Sequence, residues 1–552
     1  MTRVLVIGGG GVFGRRLAEG LVANGLEVVI AGRRLDRAQT LVDDLAATRP
    51  DAQVSAVRLD TTTLIPADLA ATGAAIVADA AGPFQHAQPL TARAAIAARL
   101  HYVDLADARD FAAAFPALDA AARAAGVVAL TGCSSTPALA NAVLDDLTRG
   151  WTEIVSVEAA ISPGARAPRG RSVMEATLSW LGRPVRVFRN GEWRAAHGWS
   201  GLHRRDFGPA GRRLVSLCET PDLDLFVARF RPRDSAAFFA GLEPGAAHLC
   251  AWLLAGLVRL KLLDARRHAD ALLALSRPFA GFGSDRGAMR VEAYGRDAEG
   301  HAVRAVWRLV AAPGEGPVTP SLPALAAIKA IAAGTIAPGA SACVGVLPLA
   351  ALEAEIAAHP IATERHVERA SLFARALGPA FDTLPEAIRD LHETPGRSTW
   401  RGEADTQGAE GPLGRLIARI VGFPGAQRGV PVTVEVSADG SRSLWKRRIG
   451  HHPFQSELAD PRPGGRVTER FGPLTFQLVL GPSPAGLTYD IQGWRLGPLP
   501  LPAFLAPRSR TSETVDAQGR FVFDVHLALP WGERLVHYRG WLRREGGTFR
   551  AP

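Results

Sequence analysis

Cysteine is scarce: Cys133, Cys218, Cys250 and Cys343 stand far apart among 552 residues, with no Cys-x-x-Cys pair. That excludes a disulfide scaffold and a cysteine-ligated zinc site, and fits a reducing, cytoplasmic compartment. Lysine is scarcer still, with Lys261, Lys329 and Lys446 among 63 basic residues, and the arginines are spread along the whole chain. No block of five like charges occurs, and no basic stretch interleaves with aromatics. The formal net charge of +9 therefore reads as a solvated arginine-rich surface, and no nucleic-acid partner is expected.

Long apolar runs are missing too. Ala330 to Leu352 carries no charge, but Gly334, Pro338, Gly339, Gly345 and Pro348 interrupt it. Pro244 to Val258 is closed by Arg259 and is short for a bilayer. No spanning segment and no secretory leader is expected, whereas an interfacial helix at Pro244–Leu263 leaves peripheral membrane contact open. His451, His452 and His537 have no acidic or cysteine partner at ligand spacing, so no metal is expected.

What is present separates into three regions. Residues 1–145 alternate short Val/Ile/Leu runs (Arg3–Ile7, Glu27–Ala31, Gln53–Arg58, Ala75–Asp79, Tyr102–Leu105, Val127–Thr131) with helical stretches such as Phe13–Ala23 and Leu90–Ala98. That alternation predicts β-α-β units and a parallel sheet. Residues 146–358 predict an α+β domain with strands at Val155–Ile161, Arg213–Cys218, Leu225–Phe230, Met289–Tyr294 and Val303–Leu309. One or two helices are expected between Pro244 and Leu275, and another from about Leu322 to Ala333. Residues 365–552 start helical and become strand-rich. Leu474, Phe476, Leu478 and Leu480 alternate along one stretch, and Phe521, Phe523, Val525, Leu527 and Leu529 along another. Period two with one apolar face predicts half-buried antiparallel strands.

The strongest motif is Gly9-x-Gly11-Val12-Phe13-Gly14, directly after an apolar strand and directly before an amphipathic helix. Gly9 serves the tight turn, Gly11 lets the backbone approach a pyrophosphate, and Gly14 allows close helix–strand packing. The helix N-terminus offers its N–H groups to the phosphates. The second strand ends in Gly32-Arg33-Arg34, with no carboxylate before Asp36. An NAD-selective site places Asp or Glu there for the ribose hydroxyl, whereas a guanidinium can clamp a 2′-phosphate. NADP is therefore favoured over NAD. Asp60 and Thr61 close the third strand, beside adenine. Ala81-Gly82-Pro83-Phe84 closes the fourth, where small residues suit the nicotinamide ribose. None of the four tyrosines has lysine four residues on, which removes the Tyr-x-x-x-Lys mechanism of short-chain dehydrogenases.

The glycine motif, Ala31-Gly32-Arg33, Ala81-Gly82-Pro83-Phe84, His101-Tyr102-Val103-Asp104-Leu105-Ala106 and Thr131-Gly132-Cys133-Ser134-Ser135-Thr136-Pro137 occur in order. Over about the first 350 residues they resemble the saccharopine dehydrogenase-like (saccharopine reductase-like) NADP-binding family. Trp445-Lys446-Arg447, Gly493-Trp494-Arg495 and His537-Tyr538-Arg539-Gly540-Trp541 resemble an uncharacterised bacterial domain, DUF4166, which supplies no activity. The resemblance implies an α/β Rossmann domain with an inserted α+β substrate domain, followed by a mainly antiparallel β domain. It also implies that Gly9–Gly14 and Arg33 hold NADP, and that Tyr102–Asp104 and Cys133–Ser135 face a substrate cleft.

Hydride transfer needs a positioned proton donor or acceptor. Asp104 and Tyr102, at a strand's carboxyl end, are the catalytic candidates; a carboxylate accepting backbone N–H bonds is the plainer role for Asp104. Cys133, Ser134 and Ser135 are candidate hydrogen-bond donors to substrate or cofactor, and Ser135 equally a helix cap. The expected function is an NADP-dependent oxidoreductase acting on a carbonyl, imine or alkene compound, with an apolar substrate and a homodimer left open. The alternative is a non-catalytic NADP-binding sensor whose C-terminal domain binds a partner or lipid.

Overall fold

In the computed structural model, which describes residues 2–168, 171–263, 281–369, 371–393, 396–438 and 442–545, the apolar runs of the first region become strands, largely buried except for the edge strand Val54–Arg58. They are β1 (Arg3–Ile7), β2 (Glu27–Gly32), β3 (Val54–Arg58), β4 (Ile76–Asp79), β5 (His101–Asp104) and β6 (Val128–Thr131). A seventh strand, Gly339–Ala342, joins them in the order Gly339–Ala342, β6, β5, β4, β1, β2, β3, and every pair is parallel. Val4 to Ile7 are buried without a polar interruption, as a sheet covered on both sides requires. The strand order reverses between β1 and β4, so the loops after them open onto the crevice where such sheets bind ligands. This is a Rossmann-like fold.

The chain leaves this sheet after β6 and returns at Gly339, in the glycine-broken stretch that excluded a membrane span. Helix Leu322–Ala332 packs against helix α1 (Val12–Ala23). Gly20 makes room there, because a Cβ on it would stand 3.2 Å from Leu325. Between the two visits lie eight strands of a nine-stranded second sheet, whose remaining strand, Ile361–Arg369, follows Gly339–Ala342. Fully buried Trp307, Phe207, Phe226 and Phe238 belong to this region. One expected strand is wrong: Leu225–Phe230 belongs to a helix, Asp222–Phe230. Leu223, Phe226 and Phe230 are its buried apolar residues, a spacing of three and four that helical packing prefers over alternation. Helix Gly245–Arg259 forms as expected; the expected continuation beyond Leu263 lies outside the described residues.

The chain divides into two compact units, one of residues 1–149, 157–293 and 305–366, the other of residues 150–156, 294–304 and 367–552. In the second, ten antiparallel strands close into a barrel. They are Gly396–Gln407, Gln427–Ala438, Arg442–Ile449, His452–Arg462, Arg466–Phe471, Leu474–Ser483, Gly486–Leu496, Arg508–Val515, Phe521–Ala528 and Arg534–Arg544. Each pairs with its successor, and the first pairs with the last to close the ring. Gly402 and Gly540 sit on that closing pair, where a Cβ would collide with the carbonyls of Trp541 and Glu403. Val432, Val434, Val436, Leu478, Leu480, Phe521 and Phe523 turn inward, and closure leaves no unpaired edge between first and last strand. Among the described residues no helix is long and apolar enough to cross a membrane.

Candidate functional site

The turn after β1 is tighter than the motif alone implies. Its left-handed residue is Gly8 (φ +77°) rather than Gly9, and a Cβ on Gly8 would meet the Ala80–Ala81 backbone at 2.9 Å. Gly8 N–H donates to the Ala31 carbonyl at 2.8 Å, tying the turn to β2. Gly9 is packed beneath Ile30, and a Cβ on Gly14 would strike the Gly8 carbonyl. Gly10 and Gly11 are exposed. Helix α1 then starts at Val12 with no side-chain cap and no acidic residue in its first turn. Its leading N–H groups therefore have no side-chain acceptor, and an anion fits them.

Arg33 and Arg34 stand exposed at the end of β2. Arg34 caps helix Leu35–Thr48 by position and faces Asp36 at 3.8 Å. Arg33 makes no hydrogen bond or ion pair among the described residues. Asp60 takes the Thr62 N–H at 3.0 Å and hydroxyl at 2.8 Å. Those bonds hold its carboxyl below the ordinary value, with help from the Arg33 and Arg58 charges. Thr61 is half-buried beside it. A guanidinium without a partner next to an anion-ready helix start suits a phosphorylated ribose.

The fourth-strand loop splits in two. Ala81 and Pro83 are exposed and Gly82 half-buried. Phe84 turns into the core, its ring 5.1 Å from Phe111. Beyond it, Gln85 Nε2 donates to Asp107 Oδ1 at 2.9 Å, bridging the loops after β4 and β5. Asp107 is half-buried, and burial raises its carboxyl above the ordinary value. His86 is exposed, with its ring 5.7 Å from Trp180.

Asp104 and Tyr102 lie deeper. Asp104 is 1% exposed, and its Oδ1 accepts from Gly132 N–H (2.7 Å), Ala106 N–H (2.9 Å) and the Thr131 hydroxyl (2.9 Å). Its Oδ2 is buried with no hydrogen-bond partner among the described residues. Burial pushes this carboxyl up to about 7 against the pull of the three donors. The Tyr102 hydroxyl stands 3.5 Å from Asp79 Oδ2, and burial raises it well above the usual tyrosine value. Cys133, Ser134 and Ser135 are all buried. The Cys133 thiol is pushed up by burial and by neighbouring Cys343, opposite to the shift a nucleophilic cysteine needs.

Two clusters were not legible in the sequence. Asp222, at the start of helix Asp222–Phe230, accepts from the Thr136 hydroxyl and from Asn141 Nδ2 (2.9 Å), and burial pushes its carboxyl up to about 7. Arg109, buried, is held by Asp224 and by Glu219 (3.2 Å) and also donates to the Arg186 carbonyl. These partners come from more than 75 residues away, so no local pattern announces them. Asp107 and Gln85 were within reach, since each flanks a quoted motif by one or a few residues.

The class these features define is a Rossmann-like dinucleotide-binding architecture carrying a closed β-barrel. Residues 4–130 match the saccharopine dehydrogenase NADP binding domain, and the cofactor that description names is the one the β2 arginines favour. Residues 384–542 match a domain of unknown function, DUF4166. The chain is similar in structure to a saccharopine dehydrogenase (L-Glu forming) from Saccharomyces cerevisiae. That likeness has 14% identity and a TM-score of 0.49, covering 67% of this chain and 100% of that one. It is similar over 15% of its length to a menthone neomenthol reductase from Mentha piperita (21% identity, 32% of that chain, TM-score 0.14). It is similar over 24% to YwfH, an NADPH-dependent reductase involved in bacilysin biosynthesis (13% identity, 75% of that chain, TM-score 0.20). No curated protein matches.

Proposed function

We propose that the chain is an NADP-dependent oxidoreductase acting on a small carbonyl, imine or alkene compound. The observation that carries this is Arg33, exposed and unpartnered among the described residues, beside a helix start whose N–H groups have no side-chain acceptor. Gly10, Gly11 and the first-turn N–H groups of Val12, Phe13 and Gly14 would receive the diphosphate, and Arg33 with Arg34 the 2′-phosphate. Asp60 and Thr61 would flank adenine, and Ala81, Gly82 and Pro83 the nicotinamide side, with Phe84 as their anchor in the core.

When bound, such a cofactor gives or takes a hydride, and the protein supplies position and a proton. Asp107 and His86 are titratable groups near that edge that reach solvent, and burial raises the Asp107 carboxyl above its ordinary value. Asp104 and Tyr102 are positioning residues in this reading. Asp104 ties the end of β5 to Thr131, the last residue of β6, and to Gly132 after it, and so holds the Cys133–Ser135 segment in place.

The test is NADPH oxidation against a panel of carbonyl and imine compounds. Turnover should appear with some member and fall sharply in Asp107→Asn, while NADPH binding persists. Tight NADPH binding with no turnover across the panel would replace this reading by that of a sensor.

A further inference from the structure

We propose that the barrel of the second unit holds an uncharged amphiphile of the long-chain alcohol type inside its cavity, its hydroxyl held by Tyr538 and Glu469. Close-packed interiors leave few voids larger than a water molecule. This barrel encloses a cavity of about 310 Å³, roughly twice the ~150 Å³ apolar cavity that takes up benzene. Barrels of about this strand number are wide enough to hold a small ligand. The walls are apolar and come from every side of the ring, among them Val434, Leu478, Ile491, Phe523, Val525 and Leu527. Leu505 lines the cavity and is itself 42% exposed, so the cavity reaches solvent there.

The polar groups inside are few. Glu513 is already engaged: its Oε1 accepts from the Tyr489 hydroxyl at 2.9 Å and its Oε2 meets His392 Nε2 at 2.6 Å. Arg447 donates to Ser456 Oγ at 2.7 Å and lies over the Trp445 ring at 4.9 Å, with Glu469 only loosely paired to it at 3.7 Å. The Tyr538 hydroxyl makes no hydrogen bond among the described residues. Burial pushes it up to about 12, with Arg447, Glu469 and Glu513 close enough to bear on it, so it stays an O–H donor.

What a ligand would find is therefore a free donor, Tyr538, beside an under-used acceptor, Glu469, while the Ser509 and Thr511 hydroxyls, also on the lining, bond each other at 2.9 Å. A hydroxyl satisfies both at once, since it accepts and donates. A carboxylate head would face Glu469 and lose the donor role. An alkane would leave both polar groups buried and unsatisfied. The apolar lining and this pair of polar groups point to the same class of molecule.

The experiment is titration of the full-length protein with tetradecan-1-ol, read by intrinsic tryptophan fluorescence, because Trp445 and Trp494 line the cavity. Native mass spectrometry counts the bound molecules. The expected result is saturable uptake of one alcohol per chain. Tetradecanoate should bind about tenfold more weakly, as should the alcohol in Tyr538→Phe, the contribution of one hydrogen bond. Val525→Trp, which fills the cavity, should abolish uptake. If that variant does not fold by circular dichroism, Val434→Phe takes its place. Absence of saturable uptake, preference for tetradecanoate, or uptake that survives the filling substitution would overturn the proposal.

Discussion

The two units place their polar chemistry in opposite ways. In the first, the sheet interior is wholly apolar from Val4 to Ile7, and the groups that could meet a ligand are pushed to the strand ends. In the barrel, the strands run on without such a crevice, and Arg447, Glu469, Tyr489, Glu513 and Tyr538 stand within the cavity itself. A parallel sheet is covered on both faces and has only its edge to offer. A closed antiparallel ring has an inside, and period-two alternation decides what it contains. Chemistry at strand ends is written in short contiguous motifs. Chemistry inside a barrel is spread over residues joined only by register.

That contrast breaks most forcefully at Phe523. Its ring packs 5.9 Å from Tyr538 within the barrel core, so Phe523→Ala should cost about 3–5 kcal/mol. Thermal melting followed by tryptophan fluorescence should show the loss, while NADPH binding by calorimetry stays intact. A loss of both would mean that the two units do not behave separately.

Gly14→Val is the counterpart in the first unit. The new side chain collides with the Gly8 carbonyl, and such overpacking costs roughly 1–3 kcal/mol. NADPH binding should vanish, whereas uptake of tetradecan-1-ol should not change. Retained NADPH affinity would show that the glycine turn is structural only.

A further effect sharpens the comparison through pH. Burial raises Asp104 and Asp222 from an ordinary 3.8 to about 7 in the folded chain. The folded state then keeps protons that the unfolded chain has released. Stability therefore falls as pH rises from about 4 to about 7, and levels off above. Urea midpoints should be lower at pH 8 than at pH 5.5, and the double variant Asp104→Asn/Asp222→Asn should flatten the dependence. A wild-type midpoint that rises over this range would contradict the assigned burial. The smallest effect belongs to the barrel wall. His537 Nε2 and Asp524 Oδ1 pair at 2.9 Å while partly exposed, so Asp524→Asn should shift stability by only about 0.2–1 kcal/mol.

Legibility in the sequence follows the same division. The six strands of the first region, the glycine turn and the β2 arginines could be read because each lies within a dozen residues of the feature that gives it meaning. The left-handed Gly8 was hidden among four consecutive glycines, because the Gly-x-Gly-x-x-Gly spacing fits Gly9, Gly11 and Gly14 and leaves Gly8 outside it. Leu225–Phe230 was misread because a short apolar run suits either period until its neighbours Asp222 and Leu223 are placed. Alternation along Leu474–Leu480 and Phe521–Leu529 correctly announced half-buried strands, but not closure. Closure depends on Gly402 facing Leu542, and no local pattern records a partner so distant. The Asp222–Thr136–Asn141 and Arg109–Asp224 clusters were invisible for the same reason.

The central claim, that the turn after β1 and the arginine after β2 grip a phosphorylated dinucleotide, is tested most directly by calorimetric titration of NADPH and NADH into wild type and Arg33→Ala. The account predicts saturable NADPH binding in the wild type. In the variant, NADPH affinity should drop by about 1.5–3 kcal/mol, the range for a hydrogen bond to a charged group, while NADH affinity barely moves. An equal loss for both cofactors, or no heat from NADPH at all, would contradict it.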